Sequence, residues 1–275
     1  MNDTFLISIV TFTYFSAAFA FLVSIIFRKK SVDKWASIIT VAGLTLQTSA
    51  IIMRWIHSYK LGIGHAPLSN FYESLVFFSW SIIFVYLIMR KRYQNSLVGI
   101  LSTFFAFLIL SYASLSGDIN CTIQPLIPAL QSNWLISHVI SSFLAYACFA
   151  IAFGTSILYL FKIKAKVNIV NLLPDATFLD EVTYKMISIG FVLLTLGIIT
   201  GAAWADRAWG RYWGWDPKEA WSLITWLIYG AFLHARLARG WKGVKMSLVS
   251  IIGFIAVIFT YLGVNYILSG LHSYL

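Results

Sequence analysis

Eight long apolar runs decide what this chain can fold into: roughly 4–27, 36–56, 71–89, 96–114, 135–161, 184–203, 217–236 and 246–268. A helix needs about 20 residues to cross a hydrocarbon core of about 30 Å, and each run is of that order. With 60% of residues hydrophobic and 11% charged, too little polar surface is left to cover such runs in water, which excludes a water-soluble fold. The runs are continuous and do not alternate over about ten residues, so helices are expected and barrel strands are not. The first run has no basic residue before it and ends in Arg28-Lys29-Lys30, so it reads as a retained helix and not as a secretory signal. The expected fold is therefore all-α: a polytopic membrane helix bundle of about eight transmembrane helices, forming a single integral membrane domain over residues 1–275.

A net charge of +10 invites a nucleic-acid reading, but the cations sit at the ends of the apolar runs and so report topology. Lys and Arg stay preferentially on the cytoplasmic side in short loops. One alternating set of loops holds Arg28, Lys29, Lys30, Lys34, Arg90, Lys91, Arg92, Lys162, Lys164, Lys166, Lys185, Arg236, Arg239, Lys242 and Lys245, fifteen of the twenty basic residues. The other set holds Arg54, Lys60, Arg207, Arg211 and Lys218. This split places both termini outside, with segments 57–70, 115–134 and 204–216. Cys121 and Cys148 lack the CxxC spacing of a redox pair or metal site, which leaves them a structural or incidental role.

The loop after the sixth run carries the chemistry. Between Trp204 and Trp221, six aromatic residues fall within eighteen positions, alternating with glycines and with Arg207, Arg211 and Lys218. Glycine lets a flat ligand approach the backbone, and the cations are of the kind that pairs with carboxylates. A large planar dianion matches that description; an interfacial aromatic belt is the alternative. Asp216-Pro217 followed by Glu219 reads as a helix start, with Asp216 as N-cap, Pro217 in the first position and Glu219 closing a capping box.

Trp209-Gly210-Arg211-Tyr212-Trp213-Gly214-Trp215-Asp216-Pro217-Lys218-Glu219 resembles the WGxxWxWDxxE signature of the haem-handling (WWD) superfamily. Within it, the chain is most similar to the CcsA family, also called ResC, of System II cytochrome c biogenesis. Three other stretches share the likeness: Gly64 to Leu75, Leu130 to Trp134 leading to His138, and Gly270 to Tyr274. The resemblance implies an outer haem-binding loop at about 204–219, with Trp209, Trp213, Trp215 and Asp216 forming its wall and Arg207, Arg211 and Lys218 available to the haem propionates.

It also implies axial ligands. Imidazole is a common partner of haem iron, and the topology places His138 and His272 at the ends of spans five and eight, on the loop's side. Position alone leaves each open to an ordinary interfacial role; the resemblance makes both the axial ligands of an external haem. His234 lies 17 residues after Pro217, about 25 Å down a helix. By position it is either a headgroup anchor near Arg236 or an intramembrane site residue, and the resemblance implies a transmembrane haem ligand paired with a histidine of a partner. His57 and His65 fall in the first outer loop and are assigned surface and structural roles. Glu73 reads either as a helix-N-terminus interaction or as support of the haem pocket.

The function implied is the haem-handling part of a System II cytochrome c synthase, a haem lyase complex with CcsB (ResB). Haem b is moved to the outer face and presented for thioether attachment to the CxxCH motif of apocytochrome c, with thiol-reducing proteins acting indirectly and no nucleic acid involved. The membrane is the bacterial cytoplasmic membrane with the site facing the periplasm, or the thylakoid membrane with the site facing the lumen. Rival readings are a CcmC-like delivery protein that passes haem to a chaperone, a haem-containing electron-transfer subunit, and a non-haem transporter with an aromatic vestibule.

Overall fold

The computed structural model describes residues 3–117, 119–164 and 172–267, and among them every regular element is helical. Eight principal helices follow in order: α1 Asp3–Ile26, α2 Lys30–Lys60, α3 Phe71–Arg90, α4 Ser96–Leu115, α5 Asn133–Lys164, α6 Ala176–Trp209, α7 Pro217–Arg239 and α8 Val244–Ile258. α8 continues through a π-helical turn, Phe259–Gly263, into a last turn, Val264–Ile267. Among the described residues seven helices are long and apolar enough to cross a membrane, which makes this an integral membrane protein. The eighth, α7, has the length at 23 residues but is more polar, carrying Lys218, Glu219, Arg236 and Arg239.

The helices form two compact units, Met1–Ile127 and Pro128–Leu275. In the first, α1 packs on α2 and α4, and α3 packs on α4. A membrane interior offers no water to satisfy polar side chains, and Gln47 shows how the unit satisfies a large one internally. Gln47 of α2 accepts from the Tyr14 hydroxyl of α1 at 2.6 Å and donates to Ser79 Oγ at 2.6 Å and the Val76 carbonyl at 2.9 Å on α3. One side chain thereby joins three helices.

The start of α1, the last turns of α2 and the start of α3 share a buried charge cluster. Arg54 donates through one terminal nitrogen to Asp3 at 2.8 Å and through Nε to Glu73 at 2.8 Å, with the Tyr72 ring 5.3 Å from the guanidinium carbon. Glu73 also accepts from the backbone N–H and hydroxyl of Ser69, both at 2.9 Å, while Asn70 caps α3 by accepting from the Glu73 N–H at 2.8 Å. Glu73 thus has the helix-start role, with Arg54, Ser69 and Asn70 of the first unit as its partners. Arg54, expected among loop cations, is a buried residue of α2.

In the second unit α5 and α6 form the most extensive helix pair, with α8 against α5 and α7 against α8. Facing threonines join the pair: Thr155 and Thr183 hydroxyls lie 2.8 Å apart. Trp226 of α7 donates to Thr195 of α6 at 2.9 Å. At 34 residues α6 is about 51 Å long, longer than a bilayer core. It begins before its apolar run and ends after it, so Trp204 to Trp209, expected in the loop, form its final turns. The connector shortens to 210–216.

Candidate functional site

α6 stops at Gly210, which adopts the left-handed conformation (φ 71°) and donates its N–H to the Asp206 carbonyl at 2.8 Å. Glycine takes that conformation without steric cost, which is why it ends helices so often. Six residues later Asp216 starts α7: its carboxylate accepts from the Lys218 N–H at 3.2 Å, and Glu219 reaches back to the Asp216 N–H at 3.1 Å. The expected capping box is present, with Pro217 in the first turn. Glu219 does more than the motif requires, because the same oxygen accepts from the Gly214 N–H at 2.7 Å. The carboxylate therefore fixes both the helix start and the middle of the loop.

Between these anchors the backbone is held in an unusual shape. Trp215 sits at φ 57°, a left-handed conformation that costs a residue with a Cβ about 1–2 kcal/mol. The flanking bonds to Gly214 and Asp216 hold it there, and its indole ends up 71% exposed, beside Tyr212 at 63%. Trp213 meets Trp215 edge to face, with ring centroids 5.8 Å apart. The Arg211 guanidinium lies against Gly214, where a Cβ would come within 2.7 Å of Arg211 Nε. Two large indoles and one cation, the cation seated on Gly214, are thus presented on seven residues. Glu219→Ala is expected to cost about 1–2 kcal/mol and to speed hydrogen exchange at the Gly214 and Asp216 amides, whereas Glu219→Gln, which keeps an acceptor, is expected to lose less on both measures.

His138, in the second turn of α5, meets the other side of the α6 terminus. Its Nδ1 is 2.7 Å from the Gly197 carbonyl oxygen, and since a carbonyl only accepts, Nδ1 carries the proton and the lone pair of the neutral ring lies on Nε2. The ring is nearly parallel to Trp204, 6.0 Å away with 19° between planes. Trp204 in turn packs edge-on against Trp209 at 4.9 Å and donates to the Ala129 carbonyl at 2.7 Å. A continuous row therefore runs from His138 through Trp204 to Trp209, the residue that opens the tryptophan motif.

The other sequence candidates separate. His234 is exposed on α7, two residues before Arg236, which pairs with Asp180 of α6 at 2.6 Å. It lies 17 residues, about 25 Å, along α7 from Pro217. His272 lies outside the described residues. Arg207 and Arg211 are exposed and Lys218 is half-buried at the start of α7. His57 is exposed, while His65 is buried with Nδ1 at 2.8 Å from the Ala66 carbonyl and Nε2 at 2.9 Å from the Gln124 carbonyl; both ring nitrogens serve the loop structure. Cys121 and Cys148 are free thiols, exposed and buried respectively. Among the described residues, no three of His, Cys, Asp and Glu converge as a bare metal ion would require.

A model of the cytochrome C assembly protein family matches residues 68–272, three quarters of the chain and including both the loop and His138. The chain belongs to that family. Among cytochrome c assembly proteins, it is similar to the cytochrome c biogenesis protein CcsA of Chlamydomonas reinhardtii, 42% identical over 82% of this chain and 64% of that one. The CcsA of Guillardia theta is 41% identical over 80% and 79%, and that of Prochlorococcus marinus strain MIT 9301 is 38% identical over 90% and 87%. The chain spans somewhat less than two thirds of the Chlamydomonas relative. Among solved structures, the cytochrome c haem lyase CcmF shares this assembly protein's fold at a TM-score of 0.69 with 16% identity, covering 95% of this chain and 47% of that one.

Proposed function

We propose that this cytochrome c assembly protein holds haem against its Trp209 to Glu219 segment and presents it for thioether attachment to an apocytochrome c. The observation that carries the reading is the His138 ring, whose proton is committed to the Gly197 carbonyl so that Nε2 is the nitrogen with a lone pair, beside the tryptophan row that leads into the loop. That donor set suits haem, an iron porphyrin bearing two carboxylates: imidazole for the metal, indole faces for the ring, and Arg207, Arg211 and Lys218 for the propionates. The absence of a side chain at Gly214 gives the Arg211 guanidinium its seat against the loop backbone, 2.7 Å from where a Cβ would stand.

In this reading His138 and His272 are the axial ligands of a haem on the outer side, with both chain termini on that side, and residues 1–275 act as one membrane domain. His234 serves a second haem position deeper in the membrane, paired with a histidine of a CcsB partner. Its exposure on α7 gives a partner access to it. Attachment adds each CxxCH thiol across a vinyl group: one C–S and one C–H bond form, the S–H bond and the C=C π bond are lost, and there is no net oxidation. The step asks the protein for proximity and orientation, which a rigid capped loop supplies, and Trp213 and Trp215 orient the ring while His138 and His272 hold the iron until the substrate's own histidine displaces one of them.

The test is to purify the chain with its CcsB partner and record the reduced haem spectrum for wild type, His138→Ala, His272→Ala and His234→Ala, with maturation of a reporter cytochrome c scored in the same strains. Haem in the wild type and altered spectra with reduced maturation in the three variants support the reading. A haem-free wild type, or variants with unchanged spectra and maturation, overturns it.

A further inference from the structure

We infer that Gly201, together with the carbonyl of Gly197, is a positioning device for His138: a notch in α6 that sets the tautomer and the ring orientation of the imidazole. The inference rests on the reading of His138 as an iron ligand and adds the residues that would make it a directed one.

In an α-helix the side chain at position i+4 leans toward the N-terminus and covers the turn that contains residue i. A side chain at 201 would therefore stand over the Gly197 carbonyl. With hydrogen there instead, the carbonyl is reachable from the neighbouring helix, and His138 reaches it at 2.7 Å. The fit leaves no slack: a Cβ at Gly201 would lie 2.6 Å from His138 Nδ1 and 2.9 Å from Cε1, so any larger residue must turn the imidazole away. On its other side the ring is held by Trp204, one turn further along α6. The imidazole is thus confined by three α6 positions spaced over seven residues, all on one face, and its Nδ1 proton is committed to the backbone. A ligand histidine whose second nitrogen is fixed in this way is oriented and made more basic at the first, and loss of such a partner usually costs 10–100-fold in metal affinity.

Gly197 has a different neighbour for its own missing side chain. A Cβ there would meet Ser142 Oγ at 2.7 Å, one turn below His138, and would leave the carbonyl in place. Gly190, in the same α5 and α6 interface, would meet Phe149 at 2.6 Å. These two glycines separate a specific effect on His138 from a general loosening of the helix pair.

Two measurements test the proposal. Nitrogen-15 NMR of histidine-labelled protein without haem reads the tautomer directly and needs no variant: the wild-type His138 signal, assigned by its loss in His138→Ala, should be that of the Nδ1–H form, and an Nε2–H form overturns the proposal. Haem titration of the purified chain then compares substitutions. Gly201→Ala should weaken haem binding by about 10–100-fold and shift the reduced spectrum and midpoint potential, with Gly190→Ala close to wild type. Equal losses in Gly201→Ala and Gly190→Ala, or none in Gly201→Ala while His138→Ala loses haem, would overturn the notch and leave the ligand reading standing. No effect of His138→Ala itself would remove the ligand reading, and the NMR result would still decide the tautomer.

Discussion

Alanine at His138 is expected to reduce the haem recovered with the purified chain by at least about tenfold, because on the proposed reading it removes an axial nitrogen. Nδ1 is bound to the Gly197 carbonyl at 2.7 Å, so the ring offers its other nitrogen, and a tenfold loss corresponds to only about 1.4 kcal/mol. Removing a half-buried imidazole at a helix end also disturbs packing little: the Trp204 indole keeps its own bond to the Ala129 carbonyl, and the α5 and α6 interface further down, at Thr155 and Thr183, is untouched. The amount of folded protein should therefore stay near the wild-type level while cytochrome c maturation falls. Loss of both together would indicate a structural role for the side chain.

The largest stability effect is expected elsewhere, in the first unit. Arg54→Ala leaves Asp3 and Glu73 buried without their shared counter-charge, and breaking a buried ion pair by removing one partner typically costs about 3–5 kcal/mol. Both carboxylates lie in the protein interior, with Glu73 1% and Asp3 9% exposed, so water cannot compensate. Asp3→Asn should cost less, since Glu73 continues to pair with Arg54 at 2.8 Å and is also held by Ser69. The unfolding temperature of the purified protein and its steady-state level in membranes both read this difference. Similar losses in Arg54→Ala and Asp3→Asn would contradict the role assigned to the arginine as the common partner.

The helices were largely readable from hydropathy because a membrane makes the apolar run and the helix nearly the same object. α3 and α4, Phe71–Arg90 and Ser96–Leu115, coincide with their runs to a residue. α6 does not, because its first turns carry Asp180 and Glu181 and its last turns Asp206 and Arg207, which lower the hydropathy without breaking the helix; Asp180 is satisfied by Arg236 and by the Gly243 N–H at 3.0 Å. Local chemistry was equally legible in the Asp216 to Glu219 cap, where four consecutive residues carry the whole motif.

What could not be read was anything made by distant segments. Asp3, Arg54 and Glu73 are far apart in sequence, and only packing of α1, α2 and α3 shows that they share one charge cluster. The same holds for His138: its partner is a backbone carbonyl 59 residues away, and Gly197 and Gly201 look in the sequence like ordinary small residues of an apolar run. The extra bond from Glu219 to Gly214 depends on the loop folding back over the helix start, a geometry that the left-handed Trp215 makes possible and that a bulky residue type does not announce.

Low-temperature electron paramagnetic resonance of the oxidised haem, in the chain purified with the proposed CcsB partner, reports iron ligation itself and not activity. The expected result is a low-spin signal of two imidazole ligands in the wild type and its conversion to another ligation state in His138→Ala. A wild-type signal without histidine ligation, or one that His138→Ala leaves unchanged, would contradict it.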